Sequence, residues 1–295
     1  MKKHLFALAC LLPLFATATV QAKVMQVVAS FTVLADVVKE VGGQHVAVKS
    51  LVPANGDPHD YEPTPEDAKA IKNAAITFIS GEGLETWFSR LAKASGAEKP
   101  PVVVSKGINT HQFVEAGKTV TDPHVWNSAA NVLIWVDNIE AVLLKADPAD
   151  SKDITASANR YRQKLQALNK QIKRQIEALP ALKRKVLTSH DAFGYYGQEY
   201  GVQFLSPLGI STETEASAAD VAALIQQIKR QGVKVYFIEN SNNSRLVKQI
   251  ANATGARPGG ELYPESLSGA NGPAPTYLQM MRYNTQQIVA AIRKS

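Results

Sequence analysis

A single cysteine, Cys10, occurs in the whole chain, and it falls in the first apolar stretch. An internal disulfide is therefore excluded beyond that stretch, as is thiolate coordination, and any metal must be held by nitrogen and oxygen donors. A large excess of either charge is also lacking. The formal net charge is +6 from 32 basic and 26 acidic residues, part of it carried by Lys2 and Lys3, and no basic stripe interleaved with aromatics suggests nucleic acid as a partner. Runs such as 170–175 read instead as solvated helix faces. After the N-terminal stretch no segment approaches the ~18 continuous apolar residues of a membrane-spanning helix. His-Glu-x-x-His or a similar ligand-plus-base motif is missing too.

The N-terminus has the make-up of a secretory signal: Lys2 and Lys3, an apolar run from Leu5 to Val20 broken by Pro13, and the small-residue site Val20-Gln21-Ala22. Residues 1–22 are thus expected to be removed, leaving an exported globular protein that begins at Lys23. The apolar run continues well past Cys10, so this cysteine reads as part of a cleaved leader rather than as a lipid attachment point.

The remainder exceeds the usual size of a single core and reads as two lobes. Strands are expected at 25–31, 46–52 and 76–79, with helices at 33–41, 65–73 and 85–94 following them and the apolar segment 101–104 after the last. A loop carrying His111 and His124 follows, then a helix over 128–145. This alternation implies an α/β fold with a mostly parallel sheet flanked by helices. From Ser151 to Leu179 there is neither proline nor glycine, and apolar residues recur from Ile154 through Tyr161, Leu165, Leu168 and Ile172 to Ile176. That pattern predicts one rigid helix of roughly 40 Å, long enough to tie two lobes together. The alternation resumes behind it, with strands at 185–188, 202–205 and 233–238, helices at 195–200, 217–231 and 244–254, and a last helix at 275–293. The expected organisation is a first lobe at 23–150, a linking helix at 151–180 and a second lobe at 181–295.

The six histidines carry the chemistry. His45 lies in an alternating segment and is expected on the exposed face of a strand. His59 and His124 both stand in Asp-Pro-His, as Asp57-Pro58-His59 and Asp122-Pro123-His124, and His190 follows a strand in Ser189-His190-Asp191. Proline fixes its own φ and biases the residue before it toward extended backbone, so each tripeptide puts an imidazole on a stiff turn. Pre-positioned imidazoles suit zinc, commonly held by four ligands in a tetrahedron. All three histidines fall just after strands or at helix entrances, where open α/β sheets bind ligands.

Four stretches in order resemble one family. These are Pro53-Ala54-Asn55-Gly56-Asp57-Pro58-His59-Asp60-Tyr61-Glu62-Pro63-Thr64-Pro65, Asp122-Pro123-His124-Val125-Trp126, His190-Asp191-Ala192-Phe193-Gly194-Tyr195-Tyr196 and Gly259-Gly260-Glu261-Leu262-Tyr263. Over essentially the whole mature chain the sequence is similar to the solute-binding proteins of zinc and manganese ABC importers, the cluster whose lobes are joined by a single linking helix. The resemblance implies a periplasmic, monomeric binding protein, not an enzyme, that captures Zn²⁺ between its lobes and passes it to an inner-membrane ABC permease, with a periplasmic metallochaperone as a candidate supplier.

It also implies His59 and His124 as the first two ligands and His190 as the third, a position where relatives handling manganese or iron carry glutamate. The fourth position departs from the family. Relatives place aspartate there, and this chain has Glu265 in Tyr263-Pro264-Glu265, with water, Asp60 or Asp191 as alternatives. Glu239 is expected to face the cleft in a supporting role, and 212–215 to form a solvated acidic loop that could touch the permease. The histidine-rich loop of many zinc-specific relatives is reduced here to His111, expected to be an exposed loop residue. Alternatives stay open: manganese or iron as cargo, a zinc hydrolase with Glu265 or Glu239 as base, or a metal-independent adhesin.

Overall fold

The computed structural model describes residues 24–115 and 118–295; the expected leader, Cys10 included, lies outside the described residues. The first lobe runs β1 (Met25–Ala29), α1 (Thr32–Gly42), β2 (Val46–Ser50), α2 (Pro65–Asn73), β3 (Ile76–Ile79), α3 (Phe88–Ser95), β4 (Val102–Val103). Its strands are parallel in the order β2-β1-β3-β4. An antiparallel hairpin follows, β5 (Gln112–Glu115) and β6 (Lys118–Thr121), and then α4 (Ala129–Ala146) and α5 (Ser151–Glu177). The second lobe runs β7 (Lys185–Leu187), α6 (Gly194–Tyr200), β8 (Gln203–Leu205), α7 (Ala218–Gln231), β9 (Val235–Glu239), α8 (Arg245–Thr254), β10 (Arg257–Leu262), and α9 (Tyr277–Arg293) ends the chain.

The second sheet is parallel in the order β8-β7-β9-β10, the same design as the first. In each, the chain leaves the first strand toward one edge and the third toward the other. The carboxyl ends of the middle pairs, β1 with β3 and β7 with β9, are therefore the switch points where such sheets open a crevice for ligands.

Local chemistry sets the helix limits. Thr64 and Asp67 form a capping box with Pro65 in the first turn of α2, and Ser128, Ser217 and Thr276 each cap a helix by accepting a backbone N–H. Helix α5 buries the stripe from Ile154 to Ile176 and packs on α1, α4 and α9. Each fully buried Leu or Ile on it contributes about 1.5–3 kcal/mol, so the connection is anchored along its length and cannot flex as a loop would. One core continues from β1 and α1 through Phe31, Trp126 and Trp135 into α5, α6 and α9. A smaller cluster around Leu187, Ile228 and Ile250 lies under the second sheet. Among the described residues no helix is long and apolar enough to cross a membrane.

Several expectations are corrected. The helix expected from Glu85 begins at Phe88, because the buried Glu85 carboxylate instead accepts Ser30 Oγ at 2.6 Å and the backbone N–H groups of Ser80 and Gly81 at 2.7 and 3.0 Å. The segment read as a plain loop before His124 contains the β5–β6 hairpin. Strand β10 was not foreseen, since Pro258-Gly259-Gly260 looks like a turn. It fits because β10 is an edge strand, where proline is tolerated, and because a Cβ on Gly259 would lie 2.5 Å from the Phe237 ring. His45 is not an exposed strand residue: it closes a short 3₁₀ turn before β2, is 8% exposed, and points Nδ1 at Asp150 Oδ2, 2.9 Å away.

Candidate metal centre

The two Asp-Pro-His tripeptides fold alike. Asp57 Oδ1 accepts the backbone N–H of His59 at 2.8 Å, and Asp122 Oδ1 that of His124 at 3.0 Å, so each aspartate closes a turn around its proline. The first turn is pinned by Trp87, whose Nε1 donates to the Pro58 carbonyl at 2.8 Å. It follows β2, while the second follows the hairpin and leads into the short turn 125–127 ahead of α4. His190 follows β7 and Glu265 follows β10, so the second lobe supplies both from the carboxyl ends of its strands.

Four side chains distant in sequence meet. The ligand atoms of His59, His124, His190 and Glu265 all lie within 4.8 Å of one another, and all four residues are buried. His59 Nε2 is 3.0 Å from His124 Nε2, and Glu265 Oε2 lies 3.3, 3.6 and 3.3 Å from the Nε2 atoms of His59, His124 and His190. Metal–ligand bonds of about 2.0–2.1 Å in a tetrahedron put neighbouring donors roughly 3.3–3.4 Å apart, so this spacing suits a small cation. His190 Nε2 and Glu265 Oε2 are fully buried and face each other at 3.3 Å without a well-aligned hydrogen bond, an arrangement that a shared cation improves.

Carboxylates behind the rings set their orientation. His124 Nδ1 is 2.8 Å from Asp122 Oδ1, and His190 Nδ1 is 2.6 Å from Glu239 Oε2. A proton held on Nδ1 leaves the Nε2 lone pair facing the centre. Glu239 is itself held by Asn242 Nδ2 at 2.7 Å and by the N–H of Ser189 at 2.9 Å. Ser241 Oγ donates to Glu265 Oε1 at 2.8 Å, which turns Oε2 inward. The backbone before Glu265 is gripped from the first lobe, where Trp126 Nε1 and Asn127 Nδ2 donate to the Pro264 carbonyl at 2.8 and 3.0 Å.

Burial alone would push the His190 ring toward the neutral form. Glu239 and Glu265 outweigh it and hold the imidazole well above its ordinary pKa; His124 is raised in the same way by Asp122 and Glu265 against its own burial. Burial disfavours the Glu265 carboxylate, but His190, His124 and His59 together hold it well below the usual range. In the absence of a cation the centre is thus a carboxylate facing two imidazoles, His190 and His124, that carry protons readily.

All four expected residues meet, and neither alternative oxygen donor joins them: Asp60 is exposed, and Asp191, whose N–H bonds to the Gly209 carbonyl, is not in the group. Glu239 takes the supporting place expected of it. Sequence reasoning missed Asp122, Trp126, Asn127, Ser241 and Asn242. Only Asp122 left a signal, since an aspartate two residues before a histidine can reach its N–H and ring. His111 is half-buried rather than exposed, its ring stacked on Tyr195 with centroids 4.2 Å apart.

Comparison with known proteins places the site in context. Residues 27–291 match the family described as zinc-uptake complex component A, periplasmic. The chain is 32% identical over 268 residues to the iron-binding protein YfeA of Yersinia pestis, covering 90% of this chain and 86% of that protein. It is 30% identical over 277 residues to the metal ABC transporter substrate-binding lipoprotein SsaB of Streptococcus sanguinis, covering 92% and 90%. Among solved structures, the periplasmic zinc binding protein TroA from Treponema pallidum superposes with a TM-score of 0.85 at 30% identity, covering 91% of this chain and 99% of that one.

Proposed function

The chain belongs to the zinc-uptake complex component A family, and on that premise we propose that it captures Zn²⁺ between its lobes with His59, His124, His190 and Glu265 and hands it to an importer. Members are metal-binding periplasmic components that work with the permease and ATPase of an ABC transporter, so the chain is a binding protein and not an enzyme. We take residues 1–22 as a cleaved leader, 23–150 as the first lobe, 151–180 as the linking segment and 181–295 as the second lobe, acting as a monomer in the periplasm. The SsaB lipoprotein gives weight to the other treatment of the leader, lipid attachment at Cys10. The intact mass of the exported protein separates the two.

The observation that carries the zinc reading is the convergence of three imidazole nitrogens and one carboxylate oxygen at tetrahedral spacing, a donor set richer in nitrogen than manganese prefers. Two ligands come from before α5 and two from after it, so a bound ion joins the lobes. Parting them removes half of its donors, which gives a docked permease a route to release. Iron or manganese as cargo is the second reading, and the name of the Yersinia relative favours it.

Calorimetric titration of Zn²⁺ against Mn²⁺ into metal-stripped protein, repeated with His190→Ala and Glu265→Ala, tests both. Zinc is expected to bind more tightly, and both variants to lose affinity. Unchanged zinc binding in both variants overturns the ligand set, whereas tighter manganese binding overturns the choice of ion alone.

A further inference from the structure

We infer that the protein carries a second, independent site for a divalent first-row transition-metal ion, formed by His45, Asp147 and Asp150 at the amino-terminal end of β2, the end of that strand away from His59. One ligand atom from each lies within 4.8 Å of the other two. The donors come from two pieces of chain. His45 ends the turn between α1 and β2, while Asp147 and Asp150 bracket the connection between α4 and α5.

Three features set this group apart from a surface acidic cluster. The His45 ring is more than nine-tenths buried and aims Nδ1 at Asp150 Oδ2, 2.9 Å away. Its other nitrogen, Nε2, is buried without a hydrogen-bond partner, its nearest carboxylate being Asp153 Oδ2 at 3.6 Å. Asp150 stands at the N-cap of the 27-residue helix α5, yet its side chain caps no N–H. An N-cap carboxylate ordinarily accepts such a bond, worth about 1 kcal/mol, and this one is turned to the imidazole instead. Asp147 is drawn in as well, with Oδ1 accepting the Asp150 N–H at 3.3 Å.

A cation on Nδ1 fixes the ring proton on Nε2, where Asp153 Oδ2 stands 3.6 Å away and closes on it with a small side-chain shift, as in carboxylate–histidine–metal arrangements that fix tautomer and raise ligand basicity. Asp147 and Asp150 supply two oxygens, and water completes the shell; a cavity of about 320 Å³ lined by His45, Asp153 and Arg160 opens on the other side of the ring. One imidazole with two carboxylates suits zinc or manganese rather than calcium or magnesium, which take oxygen alone. Such an ion staples the α1–β2 turn to the root of the linking helix, where Gly43, at φ +59°, already brings the backbone against Ser157.

The test uses full-length, metal-stripped protein with the main centre disabled by His59→Ala and His190→Ala, titrated with Zn²⁺ by calorimetry. One weak equivalent is expected to remain and to lose at least about tenfold in affinity with Asp147→Asn or His45→Gln, and about tenfold with Asp153→Ala. In the native background, His45→Gln should leave the tight equivalent in place. Should His45→Gln fail to fold, the more exposed Asp147→Asn decides. A single equivalent in the native protein, or a residual one indifferent to both His45→Gln and Asp147→Asn, overturns the site; the latter marks adventitious surface binding. The outcome is independent of whether the main centre prefers zinc.

Discussion

Trp126 Nε1 donates to the Pro264 carbonyl at 2.8 Å, across 138 positions of sequence. The residue two places after His124 therefore helps set the backbone one place before Glu265, and together with Asn127 it couples ligands of opposite lobes through one carbonyl. Trp126→Phe keeps the aromatic packing and removes the donor. Zinc affinity is expected to fall roughly tenfold or more with stoichiometry intact, beyond the loss of thermal midpoint that the smaller ring causes in this fully buried position, as calorimetry and melting curves of metal-free protein would reveal. Equal affinity would mean that Asn127 holds Pro264 alone.

Glu239→Gln preserves the shape behind His190 but removes the charge on Nδ1. Affinity for Zn²⁺ is expected to drop by about 10–100-fold with the stoichiometry intact, measured by competition with a chromophoric chelator.

Thr212 Oγ1 donates to Asp57 Oδ2 at 2.7 Å and so latches the second lobe to the turn that carries His59. A hydrogen bond to a charged group is worth about 1.5–3 kcal/mol, so Thr212→Val should speed zinc release by about tenfold or more in stopped-flow exchange into a chelator. An unchanged off-rate would show that the latch plays no part in holding the closed form.

His190 and His124, held above their ordinary values by neighbouring carboxylates, must lose their protons before a cation can bind. Zinc binding near neutral pH is expected to release protons, seen as an enthalpy that varies with the ionisation heat of the buffer. Affinity should begin to weaken above pH 6.5 as the solution is acidified, not only below it. Enthalpies identical in all buffers would contradict protonated imidazoles in the metal-free centre.

Asp36 accepts the Tyr277 N–H at 2.8 Å, and burial pushes its carboxyl up to about 6 from 3.8. Because the folded value exceeds the unfolded one, the folded state takes up the proton first. The resulting stability is fully present below about pH 4 and is lost as pH rises through about 6, to the extent of about 3 kcal/mol. In urea unfolding of metal-free protein, Asp36→Asn should flatten that part of the pH profile relative to wild type. A difference between the two that does not vary from pH 4 to 7 would refute the raised value. His190 and His124 tilt the profile the same way, and the comparison removes their share.

The strand and helix alternation was legible because parallel strands buried on both faces must be apolar runs, and because Thr64, Ser128 and Ser217 announce helices within a few residues. The stiff turns at His59 and His124 were legible for a similar reason: each aspartate bonds the N–H two residues on, so cause and effect share one tripeptide. The β5–β6 hairpin was less so, because its two strands are only four residues each and no strong turn dipeptide lies between them in the sequence. Strand β10 was hidden behind a proline and two glycines that only an edge position and the nearby Phe237 ring explain. His45 was misread because alternation in sequence continued one residue beyond the strand.

Sequence by itself determined which donors exist, imidazoles and carboxylates with no cysteine after Cys10, and how stiffly each is mounted on its own turn. Tertiary structure alone decided that His59, His124, His190 and Glu265 share a point, that Glu239 and Asp122 stand behind the rings, and that Trp126 steers Glu265. Contacts within a few residues are written in backbone preference and capping chemistry. Those between lobes arise only when the sheets, the linking helix and α9 pack against a common core, and that packing sums many weak terms no single segment contains.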